Sequence, residues 1–207
     1  MINTGLVGAM LATNPSYSTI PLSLQFLTIA LTLIPVSLLM GKFGRRSMFL
    51  LGSLAAFIGC LIIAFSIIDK SFYLFILGSI FLGFSQANQQ FYRYAAADNV
   101  SNNLKSKAIS LVLAGGVIAA VVGPEVSRYS FDLFPDYIYL ATYLLAASIQ
   151  IINFTILIFI KIKKPEVTAK KIRPLKDILI QKTLIIAILA AAVGYSLMSF
   201  IMTATPL

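Results

Sequence analysis

The chain has 207 residues, 59% of them hydrophobic and 11% charged, with 16 Lys and Arg against 7 Asp and Glu and a formal net charge of +9. A soluble domain carries about 25% charged residues, and water cannot solvate this much apolar surface, so the composition excludes a soluble protein and makes lipid the solvent. The absence of His removes the commonest metal ligand and proton shuttle, and Cys60, the single cysteine, excludes a disulfide within one chain.

In chain order, residues 1–13 form an apolar segment too short to span a bilayer at about 1.5 Å per residue, and "NPSYS" closes it as a turn. It reads as the outer half of a first helix. Runs free of Asp, Glu, Lys and Arg then cover 20–40, 47–68, 71–92, 108–122, 138–160 and 183–207. Most approach or exceed the roughly 20 residues that carry a helix across the hydrocarbon core. The shortest, 108–122, is extended by Gly123 and Pro124, and Pro124 is expected to end or bend it. The segment 161–182, "KIKKPEVTAKKIRPLKDILIQK", is a long polar connector with two helix-breaking prolines. The expected organisation is an N-terminal transmembrane bundle over 1–160, a basic cytoplasmic linker over 161–182, and the first helix of a second bundle over 183–207. Both ends of the chain read as cut.

Assigning the segments between spans alternately to two sides places every Lys and Arg except Lys70 and Arg128 on one side. This is the positive-inside signal. It puts the regions around 43, 100 and 165–175 in the cytoplasm, and 14–18, 69–70 and 129–136 outside. The net charge therefore needs no nucleic-acid partner, and the lipid bilayer is the partner that the composition implies. No Trp is present, so Tyr17, Tyr73, Tyr92, Tyr94, Tyr129, Tyr137 and Tyr139, all near span ends, must supply the interfacial belt.

Within 71–92, Ser79, Gly83, Gln86, Gln90 and Arg93 follow one another at steps of four, three, four and three, on one helical face flanked by Asn88. Unpaired amides cost several kcal/mol in hydrocarbon, so this face must meet other helices or a water-filled cavity. Gln25, Tyr195 and Met198 join Ser79, Gln86, Asn88 and Gln90 as candidates to line such a cavity. Arg93 has Asp98 as a candidate partner, either at an inner gate or as a surface pair. Gly115, Ala119 and Gly123 recur every four residues, and Gly116 and Ala120 repeat the interval, a small face suited to close helix packing. Gly52, Ala56 and Gly59 form a similar face. No span has a carboxylate near its middle; Glu125 lies toward an outer edge.

The stretch 37–46, "SLLMGKFGRR", resembles the loop between the second and third helices of the major facilitator superfamily, which commonly reads G-x-L-A-D-R-x-G-R-R. Leu39, Gly44, Arg45 and Arg46 match and Lys42 is conservative, while Ser37 and Gly41 replace the first Gly and the acidic residue. The resemblance makes Gly41, Lys42, Gly44, Arg45, Arg46, Arg93 and Asp98 candidates for a cytoplasmic gate. "LAGGVIAAVVGPE" resembles the glycine-rich fifth helix of exporters in this superfamily, through Gly115, Gly116, Ala119, Gly123 and Pro124. "QANQQFYRYAAAD" and "MTATPL" are similar to a bacterial permease-like branch. The resemblance implies an all-α bundle holding the outer part of helix 1, helices 2–6, the linker and helix 7. It also implies alternating-access transport of a small organic solute in a bacterial inner membrane, without a cofactor, the missing C-terminal half being a candidate partner. The alternatives are an inactive truncated fragment and a six-helix structural or oligomeric protein. An intramembrane enzyme is not expected, because the spans hold no His, paired carboxylates or metal constellation.

Overall fold

The computed structural model of the chain describes residues 2–160, 162 and 181–204; most of the expected linker and residues 205–207 lie outside the described residues. Among the described residues eight α-helices follow one another: α1 (Ile2–Leu11), α2 (Ile20–Phe43), α3 (Arg45–Ile68), α4 (Phe72–Gln89), α5 (Tyr92–Asp98), α6 (Lys105–Ser130), α7 (Leu140–Phe159) and α8 (Lys182–Ala204). No strand occurs among the described residues. The chain divides into two units, one holding α1–α7 and the other α8, a helix of 23 residues. Helices α2, α3, α7 and α6, the last with the 3₁₀ turn before it, are each long and apolar enough to cross a membrane.

The first unit is built around α3, which packs against both α4 and α7, while α2 packs against α4. Lipid tails are as apolar as leucine, so close van der Waals contact, not hydrophobic exclusion, must hold such helices together. Small residues supply the proximity. A Cβ on Gly59 of α3 would lie 2.9 Å from Phe81 Cβ and 3.0 Å from the Gly78 carbonyl of α4, and one on Gly52 would lie 2.8 Å from Asn88 Cβ. The Gly52, Ala56, Gly59 face therefore packs on α4, as its spacing anticipates. Two buried clusters lie toward opposite ends of α3. Val36, Met40, Met48, Phe49, Ala95 and Leu157 form the first, near its N-terminus. Val7, Ile63, Ala64, Ile67, Phe75, Leu140 and Tyr143 form the second, near its C-terminus.

Two expected spans differ from what is observed. The run 71–92 does not remain one helix: α4 ends at Gln89 and α5 restarts at Tyr92. The amide-rich "QANQQ" explains the break. Asn88 Nδ2 donates to its own turn at the Phe84 carbonyl (3.0 Å), and Phe91 N–H pairs with the Asn88 carbonyl (3.1 Å), a tighter turn than the α ladder. The run 108–122 is longer than expected, because α6 continues through Pro124 and Glu125 to Ser130. Pro124 removes one ladder bond without stopping the helix, a loss that membrane helices tolerate.

Candidate functional site

The opening between α2 and α3 is a single residue. Gly41, Lys42 and Phe43 complete the last turn of α2, Arg45 and Arg46 begin α3, and only Gly44 is non-helical. Gly44 is buried, with φ 86° and ψ 153°, and its N–H bonds the Met40 carbonyl at 3.0 Å. That backbone region is almost confined to glycine. The chain thus turns tightly at Gly44, and "GKFGRR" is a pair of abutting helix ends, not a loop. Gly41 and Lys42 are exposed, the Lys42 ammonium lying 5.4 Å from the Phe43 ring centre.

Arginines in the first turn of α3 oppose its own macrodipole, so their contacts must lie elsewhere. Arg45 Nη2 meets Asp98 Oδ2 of α5 at 2.6 Å. Arg46 donates from Nε to the Leu157 carbonyl (3.3 Å) and from Nη2 to the Ile158 carbonyl, at the C-terminus of α7. A cation there meets the negative end of a helix and satisfies carbonyls with no intrahelical donor. The two arginines therefore brace α5 and α7 against the start of α3. Asp98 pairs with Arg45 and not with Arg93, whose guanidinium lies 5.0 Å from the Tyr94 ring centre. Arg45 is four residues from Gly41, the position that departs from the acidic pattern, and receives its carboxylate from α5 instead.

The amide face is split by the break after α4. Ser79, Gly83 and Gln86 remain on α4, Gln90 is exposed in the break, and Arg93 lies on α5. Ser79 is buried and its hydroxyl donates to the Phe75 carbonyl at 2.9 Å, so it is spent within its own helix. A Cβ on Gly83 would lie 2.6 Å from the Gln25 carbonyl and 2.9 Å from Thr28 Cβ, which fixes the crossing of α2 on α4 at this glycine. Gln25 is 1% exposed, and neither atom of its amide has a hydrogen-bond partner. Gln86 Oε1 and Asn88 Oδ1 are likewise buried and unpartnered. In hydrocarbon such groups are costly unless water or a ligand meets them. Gln25 at the α2–α4 crossing, and Gln86 and Asn88 on α4, thus hold amide hydrogen-bonding capacity that the described chain does not use.

A second polar group escaped the sequence reading. Ser53 Oγ donates to the Gln150 carbonyl (3.1 Å), and Asn153 Nδ2 donates to Ser53 Oγ (3.2 Å), joining α3 to α7. Its signal was present: Gln150 and Asn153, three apart in an otherwise apolar run, pose the same amide problem as Gln86. The small face of α6 behaves differently from that of α3. Gly115, Gly116, Ala119, Gly123 and Pro124 are all exposed, and a Cβ on any of the three glycines would meet nothing within 4 Å. Tyr195 and Met198, on α8, are both exposed within their own unit. No cluster of three or more His, Cys, Asp or Glu that could hold a metal occurs among the described residues.

Comparison with known proteins gives the following. A family model described as Major Facilitator Superfamily matches residues 1–207. The riboflavin transporter RfnT of Brucella anthropi is 35% identical over 207 residues, which cover 98% of this chain and 52% of that protein. The chain thus spans about half the length of the curated relative it matches. No solved structure matches it.

Proposed function

Since the chain belongs to the major facilitator superfamily and is an integral multi-pass membrane protein, we propose that it supplies the first bundle and the following helix of a secondary carrier in a bacterial cytoplasmic membrane. The carrier moves a small organic solute by alternating access. The solute class proposed is a neutral, planar heterocycle rich in amide-like donors and acceptors, with riboflavin, the compound in the relative's name, as the first to try. The single observation that carries this reading is Gln25. It is buried against the α2–α4 crossing with both amide atoms unpartnered, beside an α4 that also presents Gln86. Glutamine can give and accept a hydrogen bond at once, which suits a ring edge that alternates C=O and N–H. No cofactor is invoked.

In this reading the Arg45–Asp98 pair and the Arg46 contacts to α7 form part of the inner gate, and the open Gly115–Gly123 face of α6 receives the second bundle. The test is uptake of radiolabelled riboflavin by a riboflavin-requiring bacterium. It would express this chain alone, or together with the half of the Brucella relative that the chain does not cover. Saturable uptake that requires both pieces, and that falls in Gln25→Leu at equal protein level, is expected. Equal uptake by Gln25→Leu would sink the assignment of the site. Uptake by neither combination would sink the solute class.

A further inference from the structure

The brace described above closes one end of α3; the other end borders a cleft of about 330 Å³. Its floor is Val7 and Leu11 of α1, Ile67 of α3, and Tyr137 from the connection between α6 and α7. Lys70 and Asp136 stand at its rim. The floor is preformed, because Val7 and Ile67 belong to the buried cluster and Leu11 and Tyr137 pack against it. The rim is held by backbone hydrogen bonds. Lys70 sits just past the C-terminus of α3 at φ 52°, and the Ser71 N–H reaches back to the Ser66 carbonyl at 3.0 Å. Helices that end this way usually place glycine at that position, since a side chain there is strained. On the Asp136 side, the Tyr137 N–H bonds the Phe134 carbonyl (2.9 Å) and the Tyr139 N–H the Phe131 carbonyl (2.7 Å).

Lys70 and Asp136 are exposed, and neither makes an ion pair among the described residues. Two opposite charges therefore line one cleft without pairing with each other. We propose that this cleft binds a zwitterion, with its anionic group against Lys70, its ammonium against Asp136 and its apolar body on the four floor residues. The volume lies at the lower end of the roughly 300–1,000 Å³ of ligand pockets, which suits one compact body. At the end of a helix that crosses the membrane, this chemistry has two sources. One is the headgroup and upper chain of an ethanolamine phospholipid; the other is a water-soluble amino acid with an apolar side chain.

The test is calorimetric titration of the purified 207-residue chain in detergent with dioctanoyl-phosphatidylethanolamine, dioctanoyl-phosphatidylglycerol, and free phenylalanine. Saturable binding of the ethanolamine lipid or of phenylalanine, but not of the glycerol lipid, is expected, and whichever binds identifies the source. Lys70→Gly and Asp136→Asn should each weaken that binding by about two- to fivefold, the range that a solvent-exposed charge contact supports. Lys70→Gly keeps the turn and should leave the melting temperature unchanged or raised, so weaker binding cannot be laid to misfolding. The exchange Lys70→Asp with Asp136→Lys should restore binding. Binding that survives both single variants, or equal binding of the glycerol lipid, or no binding of any of the three, would overturn the proposal.

Discussion

Gly44 and Lys42 are neighbours in sequence with opposite structural demands. Gly44 is buried at φ 86° and ψ 153°, whereas Lys42 is exposed. Holding a side-chain-bearing residue in such a backbone region costs on the order of 1–3 kcal/mol. Gly44→Val is therefore expected to lower the folded fraction in detergent clearly, while Lys42→Ala shifts it little; fluorescence-detected gel filtration of both at equal expression checks this. The Arg45–Asp98 pair is unevenly exposed, 14% against 46% for the two side chains. Water screens the carboxylate, so a double-mutant cycle with Arg45→Gln and Asp98→Asn should give a coupling of about 0.2–1 kcal/mol, falling as salt rises. A coupling that ignores salt would mean that the pair is less hydrated than its geometry indicates.

At the scale of elements, similar small-residue stripes on two helices have different fates. On α3 the glycines are filled by α4, with a Cβ at Gly59 brought to 2.9 Å from Phe81 Cβ; on α6 the glycines face open space. Overpacking a close contact costs about 1–3 kcal/mol, while a change that touches nothing stays within about 0.5 kcal/mol. Gly59→Leu should thus destabilise the isolated chain in a detergent unfolding titration, and Gly115→Leu should not. If a second bundle covers α6, Gly115→Leu should instead weaken co-purification with that bundle. The break between α4 and α5 belongs to the same scale. It turns one expected span into two helices, and its short second piece carries Asp98 to Arg45.

At the scale of the molecule, the ends of the bundle sort the charges. The contacts of Arg45 with Asp98 and of Arg46 with the end of α7 gather the regions near 45, 98 and 158 at one end. Lys70 lies at the other, beside Val7 and the 135–138 connection. This grouping is the one that alternate crossing requires, and the positive-inside rule then predicts which end is cytoplasmic. Ser16 and Ser101 are exposed and Cys60 is buried, so cysteines placed at the two serines in a Cys60→Ser background report the sidedness. A membrane-impermeant thiol reagent applied to intact cells is expected to label position 16 and spare position 101. The reverse pattern would invert the orientation.

The sequence by itself determined the all-helical membrane class, the approximate spans, the turn at Gly44 and the family, because hydrocarbon imposes its demands locally. A charge-free run of sufficient length must be helical, and a glycine next to two arginines between such runs marks a helix junction. It also marked Gln86 as a polar group in need of a partner and Gln25 as a candidate to line the path. Only the tertiary structure decided which groups meet. Asp98 went to Arg45 because α5 packs beside the start of α3, although Arg93 is nearer in sequence. Ser79 closed on its own helix, Asn153 reached across to Ser53, and the glycines of α3 were covered while those of α6 were not. Pairing depends on which helix lies alongside which face, and a period of 3.6 residues specifies the face but not the neighbour.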